Sequence, residues 1–284
     1  MSQKTNFYQL KKLTLVVIPT MENAYHHLQD FVAIMPPIGI ASIAATAEKA
    51  GYEVSIIDGD AEQITLEQTI ERVVGKNPDY VGSTIMTATM DISKRFYEGL
   101  KDKMPQVTVI VGGPHVSAIP ERTLEEVEAI DICVIGEGDQ TVPEILNAIG
   151  NGNDLEDIPG IAYRKNNKII ITKKRPALKD LSTLPLPAFH LFNPELYRSY
   201  GWNKWVGGYR KPIGVIFTGR GCLGKCNFCA THTIFGQGIR YFTFQQIKDQ
   251  IDYLIDKWKI RVLYFRTTPL RQIAIWYIRY VTIL

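Results

Sequence analysis

The sequence predicts an α/β protein whose first half is a doubly wound parallel sheet. Over that half of its 284 residues, short runs rich in β-branched residues alternate with stretches of helical periodicity, which is typical of parallel strands joined by helices. The runs are apolar on both faces, as expected of strands that helices cover on both sides. With domains of about 150 residues, a chain of this length holds about two of them.

Five strands and five helices are predicted in this first part. The strands are expected at residues 13–18, 53–57, 80–85, 107–111 and 132–135, and the helices at residues 38–49, 66–74, 91–103, 123–129 and 142–149. The first helix follows Pro36 and Pro37, and proline is favoured where a helix starts. Ligands of such sheets bind at the carboxyl ends of the strands.

Composition indicates a globular protein of the cytoplasm. The chain is 45% hydrophobic and carries a formal charge of +3, so nucleic acid is not an expected partner. The longest apolar stretches, residues 13–18 and 273–284, are shorter than the roughly 20 residues of a membrane span. No signal peptide is recognisable, and the four cysteines are not expected to form a disulfide framework.

Small and flexible residues follow three of the predicted strands. Glycines let backbone approach a bulky ligand, and hydroxyls beside them bond its polar groups. Each loop alone also fits an ordinary turn, but three on one edge favour a ligand crevice. The loops are Ser83-Thr84-Ile85, Gly112-Gly113-Pro114-His115 and Gly136-Glu137-Gly138-Asp139.

The character of the chain changes after residue 150. Residues 161–174 indicate a hairpin with Asn166 and Asn167 at its turn. A proline-rich segment follows, whose leucines and phenylalanines are expected to pack rather than stay in water. The predicted organisation is a sheet domain at residues 1–150, a hairpin and linker at 151–210, and a second domain at 211–284.

Three cysteines dominate the second domain. Cys222, Cys226 and Cys229 follow an apolar strand predicted at residues 213–218, with three and then two residues between them. A [4Fe-4S] cluster held by four thiolates mostly transfers electrons, whereas three thiolates leave one iron open to a substrate. A structural zinc site with His232 as fourth ligand is the alternative. Cys133 lies in an apolar run and is expected in the core.

The cysteine run resembles the signature of radical S-adenosylmethionine (SAM) enzymes, with Phe228 as its aromatic residue. The resemblance implies that Cys222, Cys226 and Cys229 hold a [4Fe-4S] cluster, that SAM chelates its free iron, and that Phe228 lies near the adenine. It also implies that residues 211–284 are the first units of a partial β/α barrel, with the cysteine loop at the end of the first strand.

The first domain resembles the cobalamin-binding domain found ahead of many radical SAM cores. Ser83-Thr84-Ile85 matches one family element, and 26 residues separate it from Gly112-Gly113, as in that family. The cobalamin contacts implied by the resemblance are Ser83, Thr84, Gly112, Gly113, Pro114, His115, Glu137 and Gly138.

The family loop that carries a cobalt-ligating histidine has no counterpart in this chain. Its position holds residues 36–41, Pro-Pro-Ile-Gly-Ile-Ala, so the Asp and the His are both missing. The resemblance then implies a cobalamin without a protein imidazole, as in the branch that includes the anaerobic magnesium-protoporphyrin cyclase and hopanoid methylase. Substitution by His26 or His27, and a domain that binds no corrin at all, are the alternatives.

A second departure follows the strand predicted at residues 262–265. Related enzymes carry Phe-x-Asp-Asp there, whereas this chain has Phe265-Arg-Thr-Thr-Pro269. The tail, residues 271–284, contains neither acidic residues nor glycine. We therefore expect that the chain is truncated, or its reading frame shifted, near Arg266.

The resemblance implies an enzyme that reductively cleaves SAM. Cobalamin would assist methyl transfer to, or cyclisation of, an unactivated carbon of a small-molecule substrate, in an anaerobic cytoplasm. Electrons would come from an external donor such as flavodoxin or ferredoxin. The alternative is a non-catalytic fragment, at most a cobalamin-binding module.

Overall fold

The computed structural model describes residues 11–20, 33–198, 211–260 and 262–266. His26, His27 and the tail at 271–284 lie outside these ranges. The described chain forms eleven strands, β1 (Lys12–Val17), β2 (Glu53–Asp58), β3 (Tyr80–Thr84), β4 (Thr108–Gly112), β5 (Ile132–Val134), β6 (Ile161–Lys165), β7 (Lys168–Ile171), β8 (Ile213–Phe217), β9 (Gly219–Cys222), β10 (Gly238–Tyr241) and β11 (Val262–Arg266).

Eight α-helices connect these strands. They are α1 (Ile38–Lys49), α2 (Leu66–Lys76), α3 (Met90–Lys103), α4 (Pro114–Ala118), α5 (Pro120–Glu126), α6 (Gly138–Gly150), α7 (Thr231–Phe235) and α8 (Phe244–Asp256). In the described ranges, no helix is both long enough and apolar enough to cross a membrane.

The main sheet has seven strands in the order β2-β1-β3-β4-β5-β6-β7. Strands β1 to β5 are parallel, and β1 lies between β2 and β3. The predicted doubly wound parallel sheet is therefore confirmed. After β1 the chain adds β2 on one side of β1, and then continues with β3, β4 and β5 on the other side. The carboxyl ends of β1 and β3 therefore border a crevice, which is where open sheets bind ligands.

Helices cover both faces of this sheet and form two separate cores. On one face α1 and α6 pack on β1, β4 and β5 through residues such as Ala44 and Ile145. On the other face α2 and α3 pack through residues such as Ile70 and Phe96. This double cover explains why the strands are apolar on both sides.

Local signals set most of the element boundaries. Helix α1 covers the predicted residues. Thr65 caps α2 by accepting from the Gln68 backbone N–H, and Asn77 ends it in a left-handed conformation, as capping rules lead one to expect. The fourth predicted helix, at 123–129, is displaced because Pro120 starts α5 earlier and the helix ends at Glu126.

The predicted hairpin forms, and it extends the main sheet. Asn166 and Asn167 both have positive φ, 51° and 60°, which suits a two-residue hairpin turn. Strand β6 pairs antiparallel with β5, with Ala162 opposite Cys133. Cys133 is fully buried, as expected of a core residue.

The second unit shares a core with the linker and with α1. Strand β8 pairs in parallel with β11, β9 pairs antiparallel with β10, and α8 starts at a capping box formed by Thr243 and Gln246. Tyr197 of the linker stacks on Trp258 with ring centroids 5.8 Å apart. Phe189 is fully buried in the same cluster, so the linker packs as predicted.

Asp58, at the end of β2, is a buried carboxylate in this shared core. It accepts hydrogen bonds from the Ala61 backbone N–H and from the Tyr197 hydroxyl, each at 3.0 Å. Burial raises the pKa of Asp58 from 3.8 to about 6, although both hydrogen bonds oppose the rise. The carboxyl is therefore easier to ionise in the unfolded chain than in the folded protein.

This difference predicts a pH-dependent free energy of unfolding. Because the pKa of Asp58 is raised in the folded protein, its protonated form contributes to the free energy of unfolding. This contribution is fully present below about pH 4 and is lost as pH rises through about 6. A shift of two units corresponds to about 3 kcal/mol. Asp58→Asn should abolish this loss of stability. Between pH 4 and pH 7 the free energy of unfolding of the variant should therefore rise by up to about 3 kcal/mol relative to that of wild type.

Urea unfolding of the two proteins from pH 4 to 7 measures the difference. Asp157→Asn is the matched control, because Asp157 is exposed. Parallel stability curves for wild type and Asp58→Asn would contradict the prediction.

Candidate functional site

A cavity of about 720 Å³ lies between the carboxyl edge of the main sheet and the second unit. The sheet, the α1 helix, the linker and strands β8 and β9 all contribute to its wall. Its lining includes Leu15, Gly82, Gly112, Gly113, Gly138, Leu184, Phe217, Arg220 and Gly221. The cavity is therefore at the place where the sheet topology predicts a ligand.

Two glycines at this edge allow neighbouring segments to pack closely. A Cβ on Gly82 would lie 2.9 Å from the Leu15 Cδ2 and 3.2 Å from the Ile110 carbonyl oxygen. A Cβ on Gly113 would lie 2.8 Å from the Ile85 carbonyl oxygen, and Gly113 has a φ of 102°. At Gly113 both the space and the backbone conformation exclude other residues.

The structure brings most of the predicted cobalamin contacts to one cavity. Six of them line it, namely Ser83, Thr84, Gly112, Gly113, Glu137 and Gly138, whereas Pro114 and His115 do not. His115 is buried, with its Nδ1 3.1 Å from the Thr87 Oγ1. Burial lowers the pKa of His115, and its Nε2 has no hydrogen-bond partner among the described residues.

A buried ion network joins the cavity wall to the cysteine loop. Arg220 makes two parallel bonds to Asp139, Nη1 to Oδ2 at 2.6 Å and Nη2 to Oδ1 at 3.0 Å. Its Nη1 also donates to Glu137 Oε1 at 2.9 Å, and its Nη2 to Ser42 Oγ at 3.1 Å. Arg240 binds the other oxygen of Glu137 at 2.7 Å. The network contains two arginines and two carboxylates, so its charges sum to zero.

These contacts show what holds Arg220 and Glu137 in place. The Arg220 side chain is only 10% exposed and is paired with carboxylates. Glu137 lines the cavity, yet both of its oxygens are bound by arginines. Ser42 and Arg240 were not predicted, and Asp139 was expected only as part of a strand-end loop, because no local pattern marks a partner so distant in sequence.

Burial and charge act in opposite directions on this network. Burial by itself raises the pKa of Asp139, but the hydrogen bonds and charge of Arg220 and the bond from Ser42 hold it below its ordinary value. The Arg220 guanidinium carbon also lies 5.8 Å and 5.9 Å from the ring centroids of Phe235 and Phe242. These contacts stabilise the charged form of both partners.

The cysteine loop begins at the end of β9. A Cβ on Gly224 would lie 3.5 Å from the Cys222 Sγ and 3.6 Å from the Cys226 Sγ, so both sulfurs flank this glycine. Cys226 is exposed, and hydrogen bonds with Thr231 lower the pKa of Cys229. Phe228 is 93% exposed and does not line the cavity.

His232 does not act as a free ligand beside these cysteines. Its Nδ1 lies 3.2 Å from the Gly236 carbonyl oxygen, and its Nε2 contacts the Gly224 carbonyl oxygen. In the part of the chain that the structure describes, no group of three or more His, Cys, Asp or Glu side chains could hold a single metal ion. His232 instead ties the cysteine loop to the end of α7, which argues against the zinc alternative.

Comparison with protein families and curated proteins gives three findings. Residues 28–146 match the B12 binding domain family. An uncharacterized methyltransferase of Pyrococcus horikoshii is 30% identical over 251 residues, which cover 88% of this chain and 52% of that protein. The anaerobic magnesium-protoporphyrin IX monomethyl ester cyclase of Synechocystis is 30% identical over 197 residues, 69% of this chain and 38% of the cyclase. The chain thus spans about half or less of these relatives.

A solved structure has the same fold at low identity. The cobalamin-dependent S-adenosylmethionine radical enzyme OxsB, with aqua-cobalamin and S-adenosylmethionine bound, superposes with a TM-score of 0.73 at 17% identity. The match covers 92% of this chain and 34% of OxsB. At this coverage the match includes residues of both units.

The two glycines Gly113 and Gly75 provide a matched test of the cavity edge. Gly113→Ala should lower the free energy of unfolding by about 1–3 kcal/mol, because alanine is strained at its φ and meets the Ile85 backbone. Gly75→Ala should leave it unchanged or raise it by up to about 1 kcal/mol, because Gly75 is an open position in α2. Chemical unfolding measures the free energy of unfolding of both variants. Equal effects of the two substitutions would contradict the conclusion that position 113 requires glycine.

Proposed function

We propose that this chain, which is similar to B12-binding-domain proteins of the radical SAM family, binds cobalamin in the cavity and a [4Fe-4S] cluster with SAM at the cysteine loop. The proposed reaction is methyl transfer to, or cyclisation of, an unactivated carbon of a small molecule. It takes electrons from an external donor of the flavodoxin or ferredoxin kind.

A single observation carries this proposal. One cavity is lined both by the strand-end loops that resemble a cobalamin site and by Arg220 and Gly221, which directly precede Cys222. A ligand at the sheet edge would therefore lie next to the cysteine loop. Two cofactors that act on one substrate need such proximity.

The donor set fits an iron–sulfur cluster. Thiolates are the usual ligands of such clusters, and Cys222 and Cys226 face each other across Gly224 with no side chain between them. The cysteines would hold three corners of the cluster, and Phe228, exposed beside them, would contact the adenine of SAM. When bound, cluster and SAM supply reductive cleavage of SAM, and cobalamin supplies a transferable methyl group.

The cavity also fits a cobalamin that receives no protein imidazole. Pro37, Ile38 and Gly39, which occupy the position of the missing histidine loop, line the cavity. None of the described residues in the lining is a histidine. The apolar wall at this position would shield the lower face of the corrin from water, and Gly112 and Gly113 would let the ring approach the backbone.

The cysteine assignment predicts the result of anaerobic reconstitution. Wild type should take up about four iron atoms per chain and, with reductant and SAM, form 5′-deoxyadenosine. Cys222→Ala, Cys226→Ala and Cys229→Ala should each lose the iron, whereas Cys133→Ala should retain it because Cys133 lies in the sheet core. A full cluster without SAM cleavage would favour the non-catalytic module, and iron retained by all three variants would overturn the cluster site.

The cavity assignment predicts a separate defect in cobalamin binding. Ile43 lines the cavity, so Ile43→Trp should weaken cobalamin binding by at least about ten-fold, or about 1.4 kcal/mol, with iron content unchanged. Ile92→Trp is the matched control, because Ile92 is a similarly half-buried helical residue on the opposite face of the sheet. Spectroscopic titration with hydroxocobalamin measures both, and no binding by wild type would overturn the cobalamin site.

A further inference from the structure

The geometry points to Arg220 as a positioning residue that fixes the cysteine loop relative to the cofactor cavity. We propose that its bonds to Asp139 and Glu137 set the distance between the cluster and the cobalt. The inference rests on the proposed function, because it requires both cofactors to bind at their proposed sites. It assigns a role to a buried network that neither cofactor site explains.

The link from Arg220 to the first cysteine is short and stiff. Only Gly221 separates Arg220 from Cys222, and all three residues pair with strand β10. Gly221 has a φ of 87°, and a Cβ there would collide with the Gly238 carbonyl oxygen. Because the pairing with β10 restrains the backbone here, a fixed Arg220 side chain also restrains the position of Cys222.

The other end of the link belongs to the cavity. Glu137 precedes α6 and Asp139 lies in its first turn, and both residues line the cavity together with Gly136 and Gly138. The segment that would touch cobalamin is therefore the segment that holds Arg220. A cofactor in the cavity and a cluster on the loop are connected through one pair of carboxylates.

Several contacts make this connection specific to arginine. Two parallel bonds to Asp139 and a third to Glu137 need the planar fork of a guanidinium, and the rings of Phe235 and Phe242 lie near its carbon. A lysine keeps the charge but offers a single nitrogen, so it cannot hold both carboxylates in the same geometry. Arg220→Lys is thus the sharpest variant, because it alters geometry and preserves charge.

The second variant removes the charge of a partner. Asp139→Asn keeps the shape of the side chain but leaves Arg220 with one carboxylate fewer in a buried place, which loosens the pair. Ser42→Ala is milder, because it removes one hydrogen bond to Asp139 and one from Arg220 and leaves every charge. Glu144→Gln is the control, since Glu144 lies on the same helix and pairs with Arg175 at an exposed place.

The test measures distance rather than activity. The full chain is reconstituted anaerobically with iron and sulfide, loaded with cob(II)alamin and reduced, and the magnetic coupling between the cluster and the cobalt is recorded by pulsed electron paramagnetic resonance. Wild type and Glu144→Gln should show one narrow distance distribution. Arg220→Lys and Asp139→Asn should retain iron and cobalamin but lose the narrow distribution, and Ser42→Ala should broaden it less.

A cofactor-free measurement separates this inference from the proposed function. In hydrogen exchange on the apo chain, Arg220→Lys should speed exchange at residues 219–224 relative to wild type, with α2 and α3 unchanged. Unchanged coupling and unchanged exchange in Arg220→Lys and Asp139→Asn would overturn the positioning role. If those two variants do not fold, Ser42→Ala decides by the same two measurements.

Wild type that binds neither cofactor would overturn the proposed function instead. In that case faster exchange in the variants would still show that Arg220 fixes the loop, and unchanged exchange would remove the positioning role as well.

Discussion

The buried pairing of Arg220 with Glu137 and Asp139 is the interaction on which the arrangement of the two units depends. Three segments meet at it, namely the start of α6, strand β9 and, through Arg240, strand β10. Burying a guanidinium or a carboxylate without an oppositely charged partner is costly. Each segment is therefore held at the position where its charge is paired. The network is neutral as a whole, which allows it to form the wall of a cavity without demanding a charged ligand.

Apolar packing supports the same arrangement. Ile38 and Ala41 of α1 belong to one buried cluster with Phe189 of the linker and with Val215 and Trp258 of the second unit. The linker therefore fills an interface instead of bridging two independent bodies. The ion network and this cluster both contribute to the lining of the cavity, so the sheet edge and the cysteine loop are fixed relative to each other at two places.

Much of the fold could be predicted because its signals are local. The Thr65 and Thr243 capping boxes, the two asparagines of the hairpin turn and the apolar runs of the strands each lie within a few residues of the element that they define. Gly113 could likewise be expected at a ligand edge, since strand-end glycines allow close approach, whereas the role of Gly82 appears only in the structure. The cysteine spacing predicts a cluster loop because three thiols lie within eight residues of one another along the chain.

The sequence by itself determined the order of the elements, the parallel sheet and the cysteine loop, since these follow from periodicity, capping and spacing along the chain. Only the tertiary structure decided that the hairpin joins the main sheet, that His232 binds backbone carbonyls, and that Arg220 is buried against Asp139. The physical reason is separation in sequence, because Arg220 and Asp139 are 81 residues apart. A charged side chain is expected to be solvated unless the fold places an oppositely charged partner beside it.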